Sequence, residues 1–399
     1  MKASPPIGHI SELANLPLAI LTRREARRLV PTASDTLPAL AQALRQLGAR
    51  AVCITGDDSD DGGDLVLDWL ATEHATGWIT SPRIASVPPT GSSGSLAAHA
   101  SAMLALGFVA ADATLLARMT ASYGLRRHQA DCPVTTVAPD QLPCDPTLLP
   151  TLSWSEQPCP APGPARRLRP LGLYAIVDSI ERLQQVLAAG VRSVQLRIKT
   201  PAMPDARWHA ALRTVVSRNI DACRAASAEL FINDHWELAL ELGADGVHLG
   251  QEDLLALGDD GRARLRTSGL ALGLSSHSVW ELCRARALSP RYIACGPVWP
   301  TLTKAMPWHP QGLHNLAWWQ GMAQCPVVAI GGILEPAQVQ AAARTGVDGV
   351  CIVRALGDDP AVTVPVLQRA FASGRARASA QACPALPRPS LPTGTDALE

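Results

Sequence analysis

Tyr292-Ile-Ala-Cys-Gly-Pro-Val-Trp-Pro-Thr-Leu-Thr-Lys304 is the stretch from which the rest of the chain is read. Four apolar, strand-forming positions, Tyr292 to Cys295, are broken by Gly296-Pro297. The loop that follows carries Thr301, Thr303 and Lys304 close together. Two hydroxyls and an ammonium at the carboxyl end of a strand suit a phosphorylated ligand. An ordinary surface loop has the same composition, so the neighbours decide. Arg197-X-Lys199, Asn233-Asp234, Gln251-Glu252-Asp253 and Gly331-Gly332 also follow apolar strands in the same half.

Working outward, that half has a regular rhythm. Strands are expected at 173–177, 193–196, 230–232, 246–248, 271–274, 292–295, 327–330 and 349–353, with helices such as 181–189, 205–226 and 336–345 between them. Eight strands alternating with helices over about 200 residues define a small (β/α)8 TIM barrel. Such barrels build their sites at the carboxyl ends of the strands, where every polar cluster above falls.

The whole chain, 399 residues and 47% apolar, is long enough for two domains. Its 35 basic and 35 acidic residues balance, which argues against nucleic acid or an anionic membrane as partner. No signal-like start or long apolar span is present, and the ten cysteines form no CxxC pair. Small-molecule substrates and a cytoplasmic location are expected, with homo-oligomerisation left open.

The first half reads as a partial α/β layer. After a start expected to be disordered (1–20), Asp35 is expected to cap a helix at 37–47. Strands follow at 51–55, 65–69 and 78–84, with an Asp-rich turn at 56–63. Helices are then expected at 95–106 and 110–126. Pro88-Pro-Thr-Gly-Ser-Ser-Gly94 precedes the first of these, and such loops bind anions through backbone N–H groups. This order resembles the C-terminal half of hydroxymethylpyrimidine phosphate kinases, of the ribokinase-like fold. Gly94 stands where those kinases carry a catalytic cysteine, and the N-terminal portion of their fold is missing. The resemblance therefore implies a vestigial domain without kinase activity. The expected organisation is α/β throughout: a partial ribokinase-like domain (1–135), a Pro-rich linker (136–170), a TIM barrel (171–375) and a disordered tail (376–399). A segment 166–376 is expected to fold alone.

Within the barrel half, Gln195-Leu-Arg-Ile-Lys199, Ile232-Asn-Asp234, Ala244-Asp-Gly-Val-His-Leu-Gly-Gln-Glu-Asp253, Gly273-Leu-Ser-Ser-His277, the Gly296–Lys304 loop and Ile330-Gly-Gly-Ile333 resemble the thiamine-phosphate synthase family. The resemblance spans about residues 171–372. It implies a transferase that condenses hydroxymethylpyrimidine diphosphate with a thiazole phosphate, with Mg²⁺, releasing pyrophosphate. It implies Arg197, Lys199 and Lys304 as catalytic cations and Asp234 and Asp253 as Mg²⁺ ligands. The pyrimidine diphosphate would contact Gln195, Leu196, Arg197, Ile198, Lys199, Asn233, Ser275 and Lys304. The thiazole phosphate would lie against Thr301, Leu302, Thr303, Gly332, Val353 and Arg354. Ile198 stands where many relatives carry glutamate, and Arg354 replaces a small polar residue. A thiazole tautomerase-like isomerase and a non-catalytic binding barrel are the alternatives. The Asn-Asp and Gln-Glu-Asp motifs favour the synthase over the isomerase. As for the other candidates, Asp234 could instead cap a helix, and His248 and His277 read as packed residues.

Overall fold

A computed structural model describes residues 13–56, 63–84, 92–129, 138–159, 169–301, 307–378 and 382–392. The chain divides into two compact units: residues 1–163 with 278–287 and 385–399, and residues 164–277 with 288–384.

The first unit is built on a five-stranded sheet. Its strands are β1 (Ala19–Thr22), β2 (Val52–Thr55), β3 (Leu65–Ala71), β4 (Thr76–Pro82) and β5 (Thr151–Leu152), in that order, with β1 and β2 parallel and the others antiparallel. Two of these strands depart from expectation. β1 begins in the last two residues of the stretch expected to be disordered and is followed by the helix Arg23–Leu29, whose first turn is tied by a capping box: Glu25 N–H donates to Thr22 Oγ1 (3.2 Å) and Thr22 N–H to Glu25 Oε2 (2.8 Å). β5 lies in the expected linker, where two pairing residues among prolines leave no periodic signal. The helix Leu37–Gln46 is capped by Thr36 rather than Asp35, which pairs with Arg27 instead. Gly91 and the turn residues 57–62 lie outside the described residues, and Ser92 to Gly94 already belong to the helix Ser92–Ala105.

Inside this unit Asp68 and Arg118 form a buried ion pair. The helix Val279–Arg286 also belongs to it, with all eight residues buried. Asp112 Oδ1 accepts from Trp280 N–H (2.9 Å), Arg284 donates to the carbonyls of Thr76 and Ser153, and Arg286 to those of Leu149 and Pro146. Within the expected tail, Ser390 is buried and Pro389 lies against Gly107.

The second unit is a closed barrel of eight parallel strands: β6 (Gly172–Val177), β7 (Ser193–Leu196), β8 (Glu229–Asn233), β9 (Gly246–Leu249), β10 (Ala271–Ser276), β11 (Tyr292–Cys295), β12 (Val327–Ala329) and β13 (Gly349–Ile352). Each pairs with its sequence neighbour, and β13 returns to β6. Strands covered on both faces are mostly apolar, so each expected strand falls within two residues of its place. Tyr174, Phe231 and Tyr292 fill the interior with ring centroids 5.1–5.9 Å apart, packed with Leu171, Ala294, Val328 and Cys351. Gly273 makes this possible: a Cβ there would lie 2.3 Å from the Tyr292 ring.

Candidate active site

The site residues sit where β7 to β13 end. After β7, the buried Gln195 and Leu196 lead to Arg197, whose N–H donates to Val177 O (2.8 Å). Arg197 and Ile198 are half-buried, and Lys199 is exposed. The guanidinium of Arg197 lies close enough to Asp234 and His248 to act on both electrostatically.

β8 ends at Asn233, which pairs opposite His248 of β9. Asp234 then takes a left-handed backbone, φ 66°, and its N–H donates to His248 O (3.1 Å). That conformation is costly for a residue with a side chain and tends to persist at functional positions. The next helix, Trp236–Leu242, has His235 at its cap position and no side-chain cap bond, so Asp234 is not a helix cap. Its carboxyl pKa is raised, first by partial desolvation and then by the nearby charge of Asp253, with His235 and Arg197 opposing. Asp253 reaches this place from the first turn of the helix Gln251–Ala256, where Gly250 N–H donates to its Oδ2 (2.7 Å).

Two neighbouring carboxylates, one of them on a left-handed backbone, suit a hard divalent cation. Among the described residues no group of three or more His, Cys, Asp or Glu side chains could hold a metal alone. The pair therefore fits an ion that completes its shell with ligand oxygens and water.

Ser275, half-buried at the end of β10, lies with its Oγ 3.0 Å from His248 Nε2, while its carbonyl accepts from Gln251 Nε2 (2.8 Å). Gln251 Oε1 is buried with no hydrogen-bond partner among the described residues. His277 stacks on Trp308 at 5.3 Å, in keeping with a packing role.

On the far side, the β11 and β12 ends interlock. Val298 N–H donates to Ile330 O (2.8 Å) and Trp299 N–H to Gly331 O (3.1 Å). Gly331 and Gly332 have φ of 91° and 70°, and a Cβ on Gly332 would meet Trp299 O at 2.6 Å. Only glycine allows this approach of backbone to backbone. Thr301 is half-buried beside that loop; Leu302, Thr303 and Lys304 lie outside the described residues. After β13, Val353 and Arg354 are exposed, and Arg354 opens a 3₁₀ turn to Leu356.

The sequence reading gave Gln251 no role and treated Tyr174 and Tyr292 as apolar strand positions. Their signal was present as polar atoms inside runs expected to be buried.

The fold and site thus define a (β/α)8-barrel protein whose strand ends carry an arginine, a carboxylate pair and a glycine cradle, residue types suited to phosphorylated ligands. The family described as thiamine monophosphate synthase matches residues 173–356. A thiamine-phosphate synthase from Rhizobium etli is 43% identical over 188 residues, 47% of this chain and 87% of that protein. Those from Neisseria meningitidis and Escherichia coli are 44% and 46% identical, covering 47% of this chain and 87% and 84% of theirs. The chain belongs to the thiamine-phosphate synthase family.

Proposed function

We propose that the barrel condenses 4-amino-2-methyl-5-hydroxymethylpyrimidine diphosphate with a thiazole phosphate, giving thiamine phosphate and pyrophosphate. The observation carrying this reading is Asp234, held on a left-handed backbone at the end of β8 with its desolvation and the Asp253 charge both acting against its ionised form, beside the Arg197 guanidinium. A diphosphate with a divalent cation relieves both at once. The carboxylate pair also favours the synthase over a tautomerase, which needs no such pair.

The displacement is dissociative: the carbon–oxygen bond to the diphosphate breaks first, its electron pair leaving with the pyrophosphate, and the thiazole nitrogen then bonds to the pyrimidine methylene carbon. No protein nucleophile and no proton transfer are required. The departing oxygen gains negative charge, so fixed cations are the main requirement. Arg197, Lys199 and Lys304 are assigned to that charge, and Asn233 and Ser275 to the orientation of the pyrimidine diphosphate, against Gln195, Leu196 and Ile198. Asp234 and Asp253 would hold Mg²⁺, which when bound screens the diphosphate. The thiazole phosphate is assigned to the backbone at Gly332, Val353 and Arg354, with Thr301, Leu302 and Thr303 beside it. In the first unit, Gly94 supplies no general base, and phosphoryl transfer is not assigned there. No helix among the described residues is long and apolar enough to cross a membrane.

Pyrophosphate release from the full chain tests the reading. It is expected only with both substrates and Mg²⁺ together. A folded protein that releases none, or releases it without the thiazole phosphate, overturns it.

A further inference from the structure

One continuous run of hydrogen bonds crosses the barrel interior and ends at the site. Gln195 Nε2 donates to the Tyr174 hydroxyl (3.2 Å), and the Tyr174 and Tyr292 hydroxyls lie 2.6 Å apart. The Tyr292 hydroxyl is 2.8 Å from His248 Nδ1, and His248 Nε2 is 3.0 Å from Ser275 Oγ. Gln195, Tyr174, Tyr292 and His248 are buried, so each polar atom must be satisfied within the run.

The direction of the run follows from proton counting. An amide nitrogen only donates, so Tyr174 accepts from Gln195 and spends its single proton on Tyr292. Tyr292, now an acceptor from Tyr174, gives its own proton to His248 Nδ1. A neutral imidazole that accepts at Nδ1 carries its hydrogen on Nε2 and donates there to Ser275 Oγ. Ser275 Oγ then accepts from below, and its own proton is left for the mouth of the site. An imidazolium would also donate at Nδ1 and leave the buried Tyr292 proton without an acceptor in the run, so the neutral His248 ring is the resident form. Its ring also stacks on Tyr292 at 5.7 Å and 19°, which fixes the plane.

We propose that His248 is a positioning residue: its Nε2–H tautomer, set by the Tyr174–Tyr292 pair, fixes Ser275 as a hydrogen-bond donor toward the diphosphate. The outward half rests on the diphosphate reading of the site given above. The opposite polarity would present serine lone pairs to a polyanion, which repels.

Nitrogen-15 NMR of the full chain without substrate reads the tautomer directly, with the His248 signals identified by their loss in His248→Asn. The Nε2–H form is expected, shifting toward a mixture in Tyr292→Phe. An Nδ1–H form in the unaltered protein overturns the proposal, whatever the substrates prove to be. Kinetics test the outward half. Tyr292→Phe should raise KM for the pyrimidine diphosphate roughly tenfold, the scale of one hydrogen bond to a charged group. It should do nothing further in a Ser275→Ala background. Equal losses in both backgrounds would reduce Tyr292 to packing and overturn the proposal. An unchanged KM in Ser275→Ala itself would remove the diphosphate contact while leaving the tautomer result standing.

Discussion

Asp253 acts on Asp234 as a like charge: one carboxylate follows β8, the other opens the helix after β9, and these two strands are paired. Partial desolvation and this repulsion together raise the Asp234 pKa, and Arg197 only partly offsets them. Keeping Asp234 ionised therefore costs the fold stability, which the proposed Mg²⁺ would offset.

Asp234→Asn separates the two effects. Without Mg²⁺ the variant should melt at a higher temperature than the parent, since the repulsion is gone and asparagine tolerates φ > 0. With Mg²⁺ and both substrates it should turn over about a hundredfold more slowly, the scale of losing one transition-state stabiliser. Melting curves with and without Mg²⁺, beside pyrophosphate release, check this. A variant that melts lower and works normally would take Asp234 out of the metal site.

Gly332→Ala tests the glycine cradle. A Cβ there meets two carbonyl oxygens, Trp299 O at 2.6 Å and Pro300 O at 2.7 Å, on a backbone with φ 70°. The expected loss is about 2–4 kcal/mol of stability together with a raised KM for the thiazole phosphate. Gly346→Ala is the control: its φ is 92° but its nearest contact is Gln320 Cγ at 3.5 Å. It should lose stability without changing that KM, as urea unfolding and saturation kinetics would show.

Asp112 makes the first unit sensitive to pH. Burial, with Glu281 adding a like charge, raises its pKa to about 8 despite the hydrogen bond from Trp280. The native state holds its proton more tightly than the unfolded chain, whose carboxyl titrates near 3.8. Its contribution is thus complete below about pH 4 and is lost as pH rises toward 8, at up to about 1.4 kcal/mol per unit. Asp112→Asn should flatten this fall, raising the melting temperature at pH 8 and not at pH 4. An unchanged slope between those pH values would contradict the assignment.

A chain beginning at residue 164 would keep the helix Val279–Arg286 but lose most of the unit to which that helix belongs. Its buried Trp280, Glu281, Arg284 and Arg286 would face water, with the carbonyl partners of the two arginines gone. Contrary to the expectation that 166–376 folds alone, this truncation should be poorly packed and prone to aggregate. Near-ultraviolet circular dichroism and turnover of the soluble fraction would show it. A well-packed, fully active product would restore the original expectation.

The barrel was legible because its strands are buried on both faces and therefore read as mostly apolar runs. The polar motifs after β7, β8, β9 and β10 were legible for the complementary reason: polar residues immediately after such runs fall at strand ends. What stayed hidden depends on partners distant in sequence. β5 is a strand only because β4 is there to pair with it, and the direction of the Tyr174–Tyr292–His248 run needs four strands in place. Thr22-Arg-Arg-Glu25 is a different case. The capping-box spacing was present and went unread, in the gap between a start taken as disordered and the first helix expected.

The first unit closes from three pieces of chain, 1–163, 278–287 and 385–399, and this has a consequence for how the protein is made. A ribosome delivers the pieces in that order, so the opening piece waits for its buried helix on the order of ten seconds at ordinary elongation speeds. Its last segment, 385–399, arrives only after the whole barrel has been made. Contacts so far apart along the chain form slowly, and the waiting sheet exposes apolar surface meanwhile. The N-terminal unit, though translated first, should be the last to mature, and newly made chains should depend on chaperones through that interval.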